Sequence, residues 1–253
     1  MGRLTSFLVL TLAYALVLEA MLVPAILFWP EFSANLDSIR AMARNVPILG
    51  QEMIGRIEDE GFPAYVLAQH FFKGANALGT AAAILFAAPA VAGEAHRGTL
   101  ELLLARPYSR ARILLERWGA GALAVTLPVL LTTLSIPPLA ERVEELEPYA
   151  PYLACALHQA LFLLALYSVT FLGSCLASNP NRLALVALFL AVLQFALYMV
   201  KTVTHASLFR LCDMEVLMGI AEGRWNVPVV LALAGTVVLA LGASLLVFRR
   251  RCP

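Results

Sequence analysis

Charge is scarce in this sequence: Asp, Glu, Lys and Arg together make 14% of its 253 residues. A soluble domain carries about a quarter, so a chain this poor in charge is not expected to cover itself with water. Lysine is nearly missing, with Lys73 and Lys201 against 16 arginines, a bias that reads as genome composition. Cysteine is present four times, at Cys155, Cys175, Cys212 and Cys252, without metal-ligand spacing. No metal site is expected, and no intrachain disulfide, because Cys212 falls alone on its side of the membrane. The sequence also lacks a Gly-x-x-x-x-Gly-Lys-Ser/Thr phosphate loop, a His-Glu-x-x-His pair, paired membrane aspartates and a Gly-x-Ser-Gly nucleophile. Gly173-Ser174-Cys175 has no partnered base. No catalytic centre is expected, and a net charge of +1 gives no footing for nucleic acid. Neither an internal repeat nor a low-complexity segment is visible.

What is abundant is apolar sequence, at 61% of residues. A membrane-spanning helix needs about 20 predominantly apolar residues. Six segments qualify, at about 4–29, 63–92, 118–139, 152–177, 183–200 and 226–248. The expected fold is therefore all-α and integral to a membrane, one transmembrane domain over 1–253 with no room for a soluble catalytic domain. Arg3, a following apolar run and Ala13-Tyr14-Ala15 mimic a cleaved signal peptide. The run continues to Trp29, broken only by Glu19, so an uncleaved first helix is expected.

Orientation follows from charge, because Lys and Arg accumulate in cytoplasmic loops. Alternate connections give one side ten arginines (Arg3, Arg97, Arg106, Arg110, Arg112, Arg117, Arg182, Arg249, Arg250, Arg251) against the acids Glu94, Glu101 and Glu116. The other side, 30–62, 140–151 and 201–225, holds seven basic and thirteen acidic residues. The basic side is expected in the cytoplasm, which places both termini there in a bacterial inner membrane. In 30–62, Leu36, Ile39, Ala43 and Val46 recur at helical spacing before Pro47, and Met53, Ile54 and Ile57 follow. This predicts short amphipathic helices on the outer surface. Segment 201–225 mixes apolar and charged residues and reads as an interfacial or re-entrant segment.

Two ionisable residues fall inside spans, where charge is costly and functional by default. Glu19 and Lys73 each lie about 15 Å from the outer end of their span at 1.5 Å per residue. An ion pair between them is geometrically feasible, either lining a path or as a buried structural pair. His158, Gln159 and Gln194 read as residues that bond neighbouring helices.

The most informative connection is 93–117, between spans two and three. Thr99 is a plausible N-cap, Thr99 to Ala105 reads as two helical turns, and Pro107 stops the helix. Ser109 can cap the helix leading into span three. Leu100, Leu103 and Leu104 share a face at spacings of three and four. An apolar face just outside the bilayer needs a partner, lipid or protein, and charges at its edges suit a protein groove.

Glu94, Arg97-Gly98-Thr99-Leu100-Glu101-Leu102-Leu103-Leu104 and Arg106-Pro107-Tyr108-Ser109-Arg110 resemble the coupling-helix signature of type-2 ABC transporter permeases, the ABC-2 family. Val247-Phe248-Arg249-Arg250-Arg251 resembles the family's usual ending. The resemblance implies a permease that hydrolyses nothing, moved by separate ATPase subunits that bind ATP and Mg, and paired with a second permease chain, identical or not. It implies that Leu100, Leu103 and Leu104 fill an ATPase groove while Glu94, Arg97, Glu101 and Arg106 set register at its rim, with Gly98, Thr99 and Pro107 shaping the helix. ATP-driven closure would tilt spans one to three as a rigid body. Export is the expected direction, and an extracytoplasmic accessory protein is compatible with it. Many members begin with an amphipathic helix carrying a Lys-Glu pair. Here only Met1-Gly2-Arg3 precede the first span, so an N-terminal ATPase contact is expected to be shortened or missing. The alternatives are an ion-coupled secondary transporter, poorly matched by six spans without inverted repeats, and a non-transporting anchor for an extracytoplasmic assembly.

Overall fold

The computed structural model describes the backbone of residues 3–43, 48–105 and 107–251, and the side chains of 8–41, 53–102, 104–105 and 107–251. Among them there are helices and turns and no strand. Six helical segments are long and apolar enough to cross a membrane: Leu8–Leu27, Phe62–His96, Arg110–Val143, Tyr149–Leu176, Pro180–Met199 and Val227–Arg250. They are spans one to six below. Helix is the only form available to a single crossing segment, because hydrocarbon offers no partner to an open N–H or C=O.

Span one shows how the sequence divides between core and lipid. Tyr14, Leu18, Leu22 and Ile26 recur every four residues and are buried, whereas Leu12, Leu16, Val17 and Met21 are exposed. Span four is the hub: it packs against spans two, three and six and carries His158, Gln159, Ser168 and Ser174 in the interior. Small residues let it approach. A Cβ on Gly121 of span three would collide with the Tyr167 ring, and one on Gly173 would come within 2.9 Å of Leu183. Gly119 has open space around it, so it serves no close contact. Span five packs least, with Tyr198 its one buried side chain.

Span two is not a plain α-helix. Residues Leu67–Leu78 are wound as a π-helix, and a new helix starts at Pro89, whose ring nitrogen cannot donate to the preceding turn. Pro24 and Pro128 sit inside helices Arg3–Leu27 and Arg110–Thr133. The Thr132 hydroxyl uses the carbonyl that Pro128 marks, donating to it at 2.9 Å.

The acidic connections form a cap over one end. Helices Trp29–Ala34, Leu36–Ala43 and Ile48–Glu60 follow span one, and Arg40 pairs with Glu58 at 3.2 Å. Val46 and Pro47 lie outside the described residues. The Trp29 indole donates to Glu145 Oε1 at 2.8 Å, and Tyr65 OH donates to the Ala25 carbonyl at 2.8 Å. Segment 201–225 packs inward through Phe209, Cys212, Leu217 and Ile220. His158 Nε2 meets the Leu211 carbonyl at 2.7 Å and the Cys155 thiol donates to the Leu217 carbonyl at 3.3 Å. Gln194 accepts from the Leu208 N–H at 2.9 Å, and Gln159 donates to Asn76 Oδ1 at 3.5 Å. Burial pushes the Asp213 carboxyl above the usual range despite its contacts with the Val216 N–H and Arg210. Cys155, Cys175 and Cys212 are free thiols.

Candidate coupling site

The arginine-rich connections meet at the opposite end, around the segment between spans two and three. Its first element is a helix stop. Helix Pro89–His96 ends at Arg97, and Gly98 follows at φ +67°, the left-handed region. The Thr99 N–H donates to the Glu94 carbonyl at 2.9 Å and the Gly98 N–H to the Ala95 carbonyl at 3.2 Å. These are the two bonds of a Schellman stop, and they require a residue at home in that conformation, which glycine is.

The same turn is locked by a carboxylate. Glu94 is 5% exposed. Its Oε1 accepts from Arg97 at 2.9 Å and from Arg117 of span three at 3.3 Å, while the Thr99 hydroxyl donates to Oε2. Arg117 also donates to the Ala90 carbonyl. Glu94 therefore joins the end of span two, the turn and the start of span three. Thr99 differs from its expected role: it makes no side-chain cap, its backbone standing at φ −100° and ψ 7° instead of the extended conformation of a capping residue, and its hydroxyl donates to Glu94.

The short helix that follows is Leu100–Leu104, five residues. Its leucines are distributed differently from the expected outward face. Leu100 is 4% exposed and belongs to the protein's own core, Leu104 is half-buried against that core, and Leu102 is 72% exposed. Spacing fixes which residues share a face, not which way the face turns. Here the chain's own helices take it. Glu101 is exposed beside Leu102. Arg106 and the side chain of Leu103 lie outside the described residues. Pro107 and Tyr108 are exposed, and the Arg112 guanidinium lies over the Tyr108 ring at 4.6 Å. Ser109 caps the next helix as its spacing predicts, accepting from the Arg112 N–H at 3.2 Å.

Two further arginines fasten this end. Arg110 Nη1 donates to the carbonyls of Arg249 at 3.0 Å and Arg251 at 2.7 Å, capping the end of span six. Arg251 in turn donates to the carbonyls of Cys175 and, at 2.6 Å, Ala177, capping span four. Cations at helix C-termini satisfy carbonyls that have no partner in the helix.

The pattern of one protein family, the ABC-2 family transporter protein, matches residues 3–211. The chain belongs to this ABC-2 family. No curated protein and no solved structure matches it. The matched range takes in the first five spans and the whole of 93–117, and stops before span six and Arg251.

Within this ABC-2 transporter protein, the intramembrane charges do not meet. Among the described residues Lys73 donates to Gln69 Oε1 at 3.2 Å, and no ion pair joins it to Glu19. Gly74, not Lys73, faces span one: a Cβ there would lie 3.7 Å from Leu18 Cδ2. The π-winding around Gly74 turns Lys73 to the exposed side of span two.

Three functional contacts escape sequence reasoning. Ser174 accepts from the Val91 and Ala92 N–H groups, each at 3.0 Å, and donates to the Ala88 carbonyl at 2.7 Å. It braces the junction at which the helix Pro89–His96 begins. Pro89 signals a break in the helix, but nothing marks Ser174, 85 residues later, as the residue that braces it. The forks of Arg110 and Arg251 are equally non-local, and only their place in Arg-rich ends hints at them.

Proposed function

We propose that this chain is the membrane subunit of an ATP-driven transporter, with both termini and 94–110 in the cytoplasm of a bacterial inner membrane. A separate ATPase, carrying ATP and Mg, docks on the helix Leu100–Leu104. The observation that supports this reading most is the placement of Leu102: an exposed leucine beside exposed Glu101, on a turn held rigid from behind by Glu94. An exposed apolar side chain on a stiff, charged rim suits a protein groove, where such charges give specificity more than affinity.

The mechanism follows from what the segment is fastened to. Force on Leu102 passes through Glu94–Arg117 to spans two and three, and through Arg110 and Arg251 to the ends of spans six and four. The moving body is then the set of spans two, three, four and six at this end, wider than spans one to three. It rocks against a second permease chain, and the cargo leaves the cell. Hydrolysis belongs to the ATPase alone.

The test is purification of the tagged chain from its own host, with partners identified by mass spectrometry. An ATP-binding subunit is expected with the wild type and is expected to be lost with Leu102→Arg. Recovery of no such subunit, together with retained function after deletion of 98–106, would contradict the proposal and favour an anchor or ion-driven carrier.

A further inference from the structure

Lys73 is an ammonium in an unusual position. Within the π-wound stretch, Leu67, Ala68, His70, Phe71, Gly74, Ala75 and Asn76 are buried. Lys73 and Ala77 are exposed, and Gln69, Phe72 and Leu78 are half-buried beside them. The wide winding thus leaves the polar pair Gln69 and Lys73 among apolar side chains on the open side of span two. The pair lies well inside the membrane. Lys73 is level with Leu18, through its neighbour Gly74. Leu18 lies seven residues below Ala25, whose carbonyl Tyr65 bonds at the rim. At 1.5 Å per residue the depth below Ala25 is about 10 Å.

An ammonium has three N–H donors and no acceptor. One is used on Gln69 Oε1, a neutral acceptor. This contact turns the Gln69 carbonyl to Lys73 and leaves its amide N–H groups as donors. No carboxylate among the described residues pairs with Lys73. The pair therefore presents open N–H donors and a positive charge with no anion beside it, at a depth where an uncompensated charge is costly. Hydrocarbon does not complement it, and an acceptor-rich anion does.

We propose that Gln69 and Lys73 form an oxyanion-binding point on span two, and that the molecule moved along this side of the span bears a phosphate, sulfate or carboxylate. Calling that molecule a cargo rests on the permease reading; the binding itself does not. The oxyanion can be a lipid headgroup or an amphiphile arriving from the cell, and the chemistry at Lys73 is shared.

The test uses the full chain in neutral maltoside detergent without any ATPase, so it stands whether or not an ATPase partner is found. Fluorescent phosphatidylglycerol is titrated against fluorescent phosphatidylcholine, with dodecyl phosphate and dodecanol as competitors. The anionic lipid is expected to bind tighter by about tenfold or more, in keeping with charge-assisted hydrogen bonds. Lys73→Gln is expected to remove that difference and Lys73→Arg to keep it, with unfolding temperatures of both unchanged. Displacement of phosphatidylglycerol by dodecyl phosphate but not dodecanol assigns the point to any amphiphilic oxyanion; tight phosphatidylglycerol binding that dodecyl phosphate does not displace assigns it to a lipid headgroup. Equal binding by wild type and Lys73→Gln overturns the proposal. So does recovery of native behaviour when Lys73→Glu is combined with Glu19→Lys, which would make the partner a carboxylate of a second copy.

Discussion

Neutralising Glu94 is the sharpest perturbation the coupling segment offers. Its side chain is 6% exposed and its partner Arg117 is 14% exposed, whereas Arg97 is 60% exposed. Removing one member of a buried pair leaves the other charge without compensation, at about 3–5 kcal/mol. An exposed pair contributes about 0–1 kcal/mol. Glu94→Gln keeps the shape and is expected to cost about 3 kcal/mol, because the buried Arg117 guanidinium and the Thr99 hydroxyl lose their anionic acceptor. Arg117→Gln is expected to cost a similar amount, and Arg97→Gln less than about 1 kcal/mol. Because Glu94 and Arg117 touch, the double change is expected to cost less than the two single costs added, with a coupling of at least about 1 kcal/mol. The assay is reversible unfolding of the chain in bilayer discs, followed by steric trapping, for the wild type, the two single variants and the double. Strict additivity would refute the lock, as would an Arg97→Gln cost equal to that of Arg117→Gln.

Three other outcomes follow from the same geometry. Ser174→Ala strips the acceptor from two buried N–H groups, each worth about 1–3 kcal/mol; faster hydrogen exchange at Val91 and Ala92 with a lowered unfolding temperature is expected. Gly98→Ala meets open space, so only the left-handed backbone resists, at about 1–2 kcal/mol, and Gly98→Asn is expected to cost visibly less in the same unfolding assay. Leu100→Ala is expected to destabilise the chain by about 2–5 kcal/mol, while Leu102→Ala leaves stability within about 0.5 kcal/mol and weakens ATPase binding instead.

The spans are legible in the sequence because a bilayer sets a length that few other demands mimic, and the described helices run through all six apolar segments. The Ser109 cap and the Pro89 break are local and were readable from residue type. What the sequence hides is of two kinds. One is direction: a leucine repeat defines a stripe but not the side it faces, and Leu100 is buried in the chain's own core. The other is distance. Arg251 caps span four across 74 residues, and Ser174 braces a helix junction more than 80 residues away. Neither pattern has a sequence period. The Glu19–Lys73 pair fails for a third reason. Counting residues gave both the same depth, and they share it, but π-winding rotates Lys73 away from span one.

The proposed function stands on contact between Leu102 and an ATPase. The most direct measurement places a photoreactive benzoylphenylalanine at position 102 in the native host and, as a control, at position 239, where Leu239 is exposed on span six. A light-dependent adduct with an ATP-binding subunit is expected from position 102 and none from position 239. An adduct only with lipid at position 102, or labelling of Leu102→Cys from outside intact cells by an impermeant maleimide, would contradict it.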